Sequence, residues 1–140
     1  MIARKRSARA TSRIVVRDRT RIEKHLDDLC RKLVVHLRDH GYCQRCGSSG
    51  KTRGVQWAHV FVRNYKRLRW NPDNSLALCA GCHAWFDHHK KDAWPWFAQE
   101  FPDRAQRLEL LIATRGLRPK MDLAAEKAWL TQEIAKLEEP

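Results

Sequence analysis

The chain has 140 residues, which suits one domain with modest extensions rather than two full domains. Its 28 Lys and Arg against 16 Asp and Glu leave a net charge of +12, which favours a polyanionic partner, nucleic acid ahead of an anionic membrane surface. No stretch approaches the ~20 apolar residues that cross a bilayer, and the basic start Met1-Ile2-Ala3-Arg4-Lys5-Arg6 lacks the apolar run of a secretory signal. A cytosolic, reducing setting is therefore expected, and there five cysteines argue for metal rather than disulfides.

Residues 1–18 carry Arg4, Lys5, Arg6, Arg9, Arg13 and Arg17 with few core-formers, and read as a flexible basic arm that contacts a polyanion. Over residues 19–41, Ile22, Leu26, Leu29, Leu33 and Leu37 recur at three- and four-residue spacing and predict a helix that packs on the core and ends at Gly41. Cys30 lies beside this stripe without metal-ligand neighbours and reads as a buried thiol. Residues 42–91 concentrate the cysteines, histidines and tryptophans and form the functional module. Trp57, Trp70 and Trp85 in it are expected to fill a small core. Residues 92–140 read as a helical extension. One helix is capped by Asp92 with Pro95 in its first turn, one starts at Asp103, and one runs from about Asp122 to Glu138. The last has apolar residues partly in heptads. Packing on the parent domain is the reading for it, with a short homodimeric coil as the alternative.

Cys43-Gln44-Arg45-Cys46 and Cys79-Ala80-Gly81-Cys82 are two C-x-x-C pairs with 32 residues between them. Two thiolates two residues apart can bind one metal from a single tight turn. Two such knuckles complete a tetrahedral S₄ shell, which suits a structural Zn²⁺ with no open position. Chemistry would then lie between the knuckles or just beyond the second.

Between them runs the β-prone stretch Val55-Gln56-Trp57-Ala58-His59-Val60-Phe61-Val62. A basic loop from Arg63 to Trp70 follows, then the turn Asn71-Pro72-Asp73-Asn74 and a second short strand, Ser75 to Leu78. His83 comes directly after the last cysteine, at the start of a helix. The order strand, long loop, strand, helix makes this an α+β chain.

Here the chain resembles the HNH endonucleases, whose fold is the ββα-metal, or His-Me finger, motif. The three letters map to His59, Asn74 and His83, and Asn74 to His83 is similar to the family segment N-x-x-x-L-C-x-x-C-H. The spacing of fifteen residues from His59 to Asn74 and nine from Asn74 to His83 is similar to that of the colicin-type nucleases. More loosely, the chain resembles phage-encoded proteins, including the NinG-type recombination nucleases. The resemblance implies a metal-dependent DNA endonuclease in a bacterial cytoplasm, phage- or prophage-encoded, leaving a 5′ phosphate and a 3′ hydroxyl.

Phosphodiester hydrolysis needs a base for water, a cation for the developing charge and help for the leaving oxygen. His59 is the base candidate, because an imidazole titrates near neutral pH. Asn74 could orient it, and His83 is the ligand candidate for a catalytic Mg²⁺ or Mn²⁺. Asp87 and His88 stand as alternatives for a second ligand, Asp87 lying four residues after His83 on the same helix face. Many HNH enzymes carry an acid or histidine directly before the base. Ala58 holds that place here, leaving the ion with fewer protein ligands. Arg63, Lys66, Arg67 and Arg69 are candidates to hold DNA phosphates. A zinc-ribbon DNA-binding protein without catalysis is the alternative of a different class.

Overall fold

A computed structural model describes residues 2–61 and 64–140, with side chains described for 16–52, 54–61 and 64–140. Arg63 and the side chains of Arg4, Lys5, Arg6, Arg9 and Arg13 lie outside the described residues.

The architecture is α+β, a two-stranded antiparallel ribbon between two groups of helices. Helix α1 spans Ile2–Arg31 and continues as a π-helical turn over Lys32–Arg38. It begins far earlier than the stripe from Ile22 suggests. Residues 2–18, expected as an arm, are helical: they are rich in Ala and Arg and contain no Gly or Pro to stop a helix. The wide π turn rotates the inward face, so Leu33, Val34 and Val35 are all buried. Ile22, well before that turn, is exposed. The end is a left-handed cap. His40 and Gly41 have φ of 53° and 72°, and Gly41 N–H bonds the Val35 carbonyl at 2.8 Å.

A short helix α2 (Gly50–Arg53) leads into β1 (Gln56–His59). The inter-strand loop carries α3 (Lys66–Arg69) and the 3₁₀ turn Pro72–Asn74, which delivers β2 (Ser75–Leu78). Register pairs Gln56 with Leu78, Trp57 with Ala77, Ala58 with Leu76 and His59 with Ser75. Successive side chains point to opposite faces of a strand. Ala58, Leu76 and Leu78 therefore join one apolar cluster with Phe86, Phe97 and Leu108, while Trp57 and Ala77 join another with Leu26, Val34, Trp70, Leu130 and Ile134. Every residue of β2 is buried because helices cover both its faces.

The first cluster rests on α4 (Ala80–His88), α5 (Lys90–Glu100) and α6 (Pro102–Ala113), the second on α1 and α7 (Leu123–Glu138). Asp92 does not cap α5. The helix starts two residues earlier from a turn at His89, and Pro95 sits inside it rather than in its first turn. Asp122 does cap α7, accepting from Ala124 N and Ala125 N. Cys30 is fully buried, its S–H on the Trp70 carbonyl at 3.4 Å. Burial pushes its thiol up to about 12. No helix among the described residues is long and apolar enough to cross a membrane.

Candidate functional site

The two C-x-x-C pairs meet. The first knuckle forms because Gly47, at φ 73°, turns the chain back so that its N–H bonds the Cys43 carbonyl at 2.8 Å. The second sits at the entrance of α4, with Cys79 before its first turn and Cys82 within it. A bond from Gln44 N to the Ala77 carbonyl, 2.9 Å, ties the first knuckle to β2 beside the second. All four sulfurs lie within 4.8 Å of one another. A tetrahedron of ~2.3 Å metal–sulfur bonds has edges of about 3.8 Å, and Cys46 Sγ to Cys79 Sγ is 3.8 Å. The donor set thus fits one closed tetrahedral metal site.

Its surroundings act on the thiols in opposite directions. The Ser48 hydroxyl, 3.1 Å from Cys46 Sγ, and the Ser48 backbone N–H draw Cys46 down to about 6. Burial pushes Cys82 up to about 12, against the Arg45 guanidinium 3.6 Å away. A divalent cation held between the four sulfurs would offset that cost. Arg45 is itself held over the Trp85 ring at 3.7 Å.

The second constellation is built on β1 and α4. His83 lies one turn into α4, where Nδ1–H donates to Gln56 Oε1 at 2.7 Å. That bond leaves Nε2 as the basic nitrogen, and Nε2 is 3.5 Å from Asp87 Oδ2. One imidazole nitrogen and one carboxylate oxygen, a helical turn apart, are a bidentate donor pair for a hard or borderline cation. His88 is exposed at the end of α4, about 140° further round the helix from His83.

His59 ends β1 and faces the other side of the strand. Its ring packs on Trp57 with centroids 4.3 Å apart. Its Nε2–H donates to the Arg69 carbonyl at 3.0 Å, which makes Nδ1 the basic nitrogen. Ala58, on the face that meets α4, is fully buried in the apolar cluster there.

Asn74 is fully buried and spans the loop. Its Oδ1 accepts from Phe61 N at 2.8 Å, and its Nδ2 donates to the Phe61 and Leu68 carbonyls at 3.1 and 2.9 Å. It touches the chain two residues after His59 and one residue before His59's partner Arg69, so it sets the loop geometry rather than the ring directly. Two guanidiniums hold its own turn. Arg38 bonds the Pro72 and Ser75 carbonyls, each at 2.7 Å, and Arg104 bonds the Ser75 and Asp73 carbonyls at 2.7 and 3.0 Å.

The described loop cations are engaged with the protein. Arg69 forks onto Asp27 at 2.9 and 2.6 Å, Lys66 Nζ lies 2.9 Å from Glu23, and Arg67 bonds the Pro119 carbonyl. Burial raises Glu23, but Lys66, Arg19 and Arg69 outweigh it and hold the carboxyl below its usual value. Gln56, Glu23, Asp27, Arg38 and Arg104 were not singled out by sequence. Their partners lie 27 to 43 residues away, and no local spacing announces such pairs.

Residues 43–90 match the model of the HNH endonuclease family. Over that stretch, about a third of its length, the chain is similar to an HNH endonuclease domain. The match spans both knuckles, His59, Asn74, His83 and Asp87, and leaves α1 and the helices after α4 outside it. No curated protein and no solved structure matches the chain.

Proposed function

We propose that the chain is a metal-dependent endonuclease that hydrolyses phosphodiester bonds in DNA. The observation carrying this reading is that, within residues 43–90, both motif histidines have one ring nitrogen tied to an oxygen from a distant part of the chain, His83 to Gln56 and His59 to the Arg69 carbonyl. Such bonds fix the orientation of each ring.

His59, on the face of β1 opposite the Gln56–His83 pair, is the general base, taking a proton from the attacking water. Asn74 keeps the loop in the shape that brings the Arg69 carbonyl to the ring. His83 Nε2 and the Asp87 carboxylate would hold a Mg²⁺ or Mn²⁺, with Gln56 orienting the imidazole. When bound, that ion supplies stabilisation of the negative charge developing on the phosphoryl oxygens and leaving group. Cys43, Cys46, Cys79 and Cys82 would hold a structural Zn²⁺ that fixes α4 against the ribbon. The net charge of +12 supports DNA as the partner. Arg63, Lys66 and Arg67 are the proposed phosphate contacts, and Arg69, forked onto Asp27, shapes the loop beside them.

Supercoiled plasmid incubated with the protein and Mg²⁺ or Mn²⁺ should be nicked or linearised. His59→Ala should slow cutting by ~10²–10⁴-fold with DNA binding retained. A parent that binds DNA but cuts with no divalent ion overturns the reading. The buried Ala58 in the usual ligand place would then favour a zinc-ribbon DNA-binding protein.

A further inference from the structure

Three residues of α1, all outside residues 43–90, reach the loop that holds His59. Glu23, Asp27 and Cys30 are spaced four and three apart and so share one side of the helix. Glu23 takes Lys66 at the start of α3, Cys30 donates to the Trp70 carbonyl just after it, and Asp27 sits between them. Asp27 Oδ1 accepts from Arg69 Nε at 2.9 Å and from the Trp70 indole N–H at 2.8 Å, and Oδ2 accepts from Arg69 Nη2 at 2.6 Å. Both side chains of the ion pair are mostly shielded, 17% exposed for Asp27 and 19% for Arg69, so water competes weakly with this charge-assisted fork. Trp70 is fully buried and cannot shift to compensate for a lost partner.

We propose that Asp27 is a positioning residue for His59. It clamps two consecutive residues, Arg69 and Trp70, and the Arg69 carbonyl is the atom that accepts the His59 Nε2–H. The carboxylate thus holds the peptide that sets the ring's tautomer and direction, and a base delivered a fraction of an ångström off line loses rate without losing substrate. The proposal rests on the reading of His59 as the base. It also means that residues 43–90 do not carry a complete site: the helix before them supplies part of it.

The test uses the full, metal-loaded chain with Asp27→Ala and Asp27→Asn. The asparagine keeps an oxygen for the Trp70 indole and removes the charge from Arg69, so it remains informative if the alanine variant does not fold. Both should retain bound metal and DNA affinity, while kcat for plasmid cutting falls on the order of 10- to 10²-fold, less for Asn than for Ala, and KM stays put. In a His59→Ala background, adding either Asp27 substitution should lower the residual rate no further, because its effect runs through the absent ring. A nitrogen–proton NMR spectrum of the parent should show the His59 Nε2–H as a hydrogen-bonded, slowly exchanging signal that the Asp27 variants lose. That signal also separates the two ideas. A parent that never cuts but shows the Asp27-dependent signal sinks the nuclease reading and leaves the positioning role standing. A folded variant with parental kcat, an equal loss in the His59→Ala background, or an unchanged Nε2–H signal overturns the role.

Discussion

Asn74→Ala removes the side chain that bonds three backbone groups in the inter-strand loop. The Leu68 carbonyl, the Phe61 carbonyl and the Phe61 N–H lose partners at 2.9, 3.1 and 2.8 Å. A buried polar group left unpaired costs about 1–3 kcal/mol, and the two at Phe61, being part-buried, recover some hydration. The sum is about 3–5 kcal/mol, a large share of the 5–15 kcal/mol typical of a domain. For a chain of this length that corresponds to a fall in Tm of about 10–15 °C. Asn74→Asp is the sharper comparison. It has the same shape and keeps an oxygen for the Phe61 N–H, but turns its second oxygen onto two carbonyls where the amide had donated. It should destabilise at least as much as alanine despite conserving volume. Thermal denaturation followed by circular dichroism, with metal content measured in parallel, decides the matter. If Asn74→Ala melts within about 2 °C of the parent, or Asn74→Asp equals it, the three bonds do not hold the loop.

Other consequences are open to direct measurement. Purified protein should carry one Zn²⁺ at its four thiolates, and Cys46→Ser should unfold the module rather than slow it, because metal affinity is folding free energy there; elemental analysis with circular dichroism checks both, and a metal-free, fully folded variant contradicts the site. His83→Ala and Asp87→Ala should raise the Mn²⁺ concentration needed for cutting, with partial recovery at excess metal, whereas His59→Ala should not recover; equal metal dependence in all three would remove the division of roles. Glu126 is raised above its ordinary value by burial, with Arg67 opposing. Its ionised form therefore penalises the fold at pH values above its folded pKa, and that penalty vanishes below the unfolded value. Glu126→Gln should raise Tm at pH 7, with the gain shrinking as pH falls through the raised folded value and gone below the ordinary carboxylate value, and a gain independent of pH would contradict the cause.

What the sequence determined by itself was local. Cysteines two residues apart can only present their sulfurs from one turn, and two such pairs flanking a β-prone stretch have a strong reason to meet, as Cys43, Cys46, Cys79 and Cys82 do. The ribbon was legible for the same reason: alternation and turn residues act within a few positions, and β1 and β2 fall inside the stretches that carry those signals. Asp122 at the start of α7 and Gly41 at the end of the first helical run follow equally local rules. The tertiary structure decided whatever depended on distant partners. The loop cations Lys66 and Arg69 read as free charges in one dimension, and only the folding of α1 across them brings Glu23 and Asp27 within reach. The Asp87 carboxylate beside His83 is no such case: four residues apart on α4, the two meet by local helix geometry. The guanidiniums of Arg38 and Arg104 converge on the Asn74 turn from elements before and after residues 43–90. A long side chain is satisfied by whatever packing brings to it, and packing is a property of the whole chain.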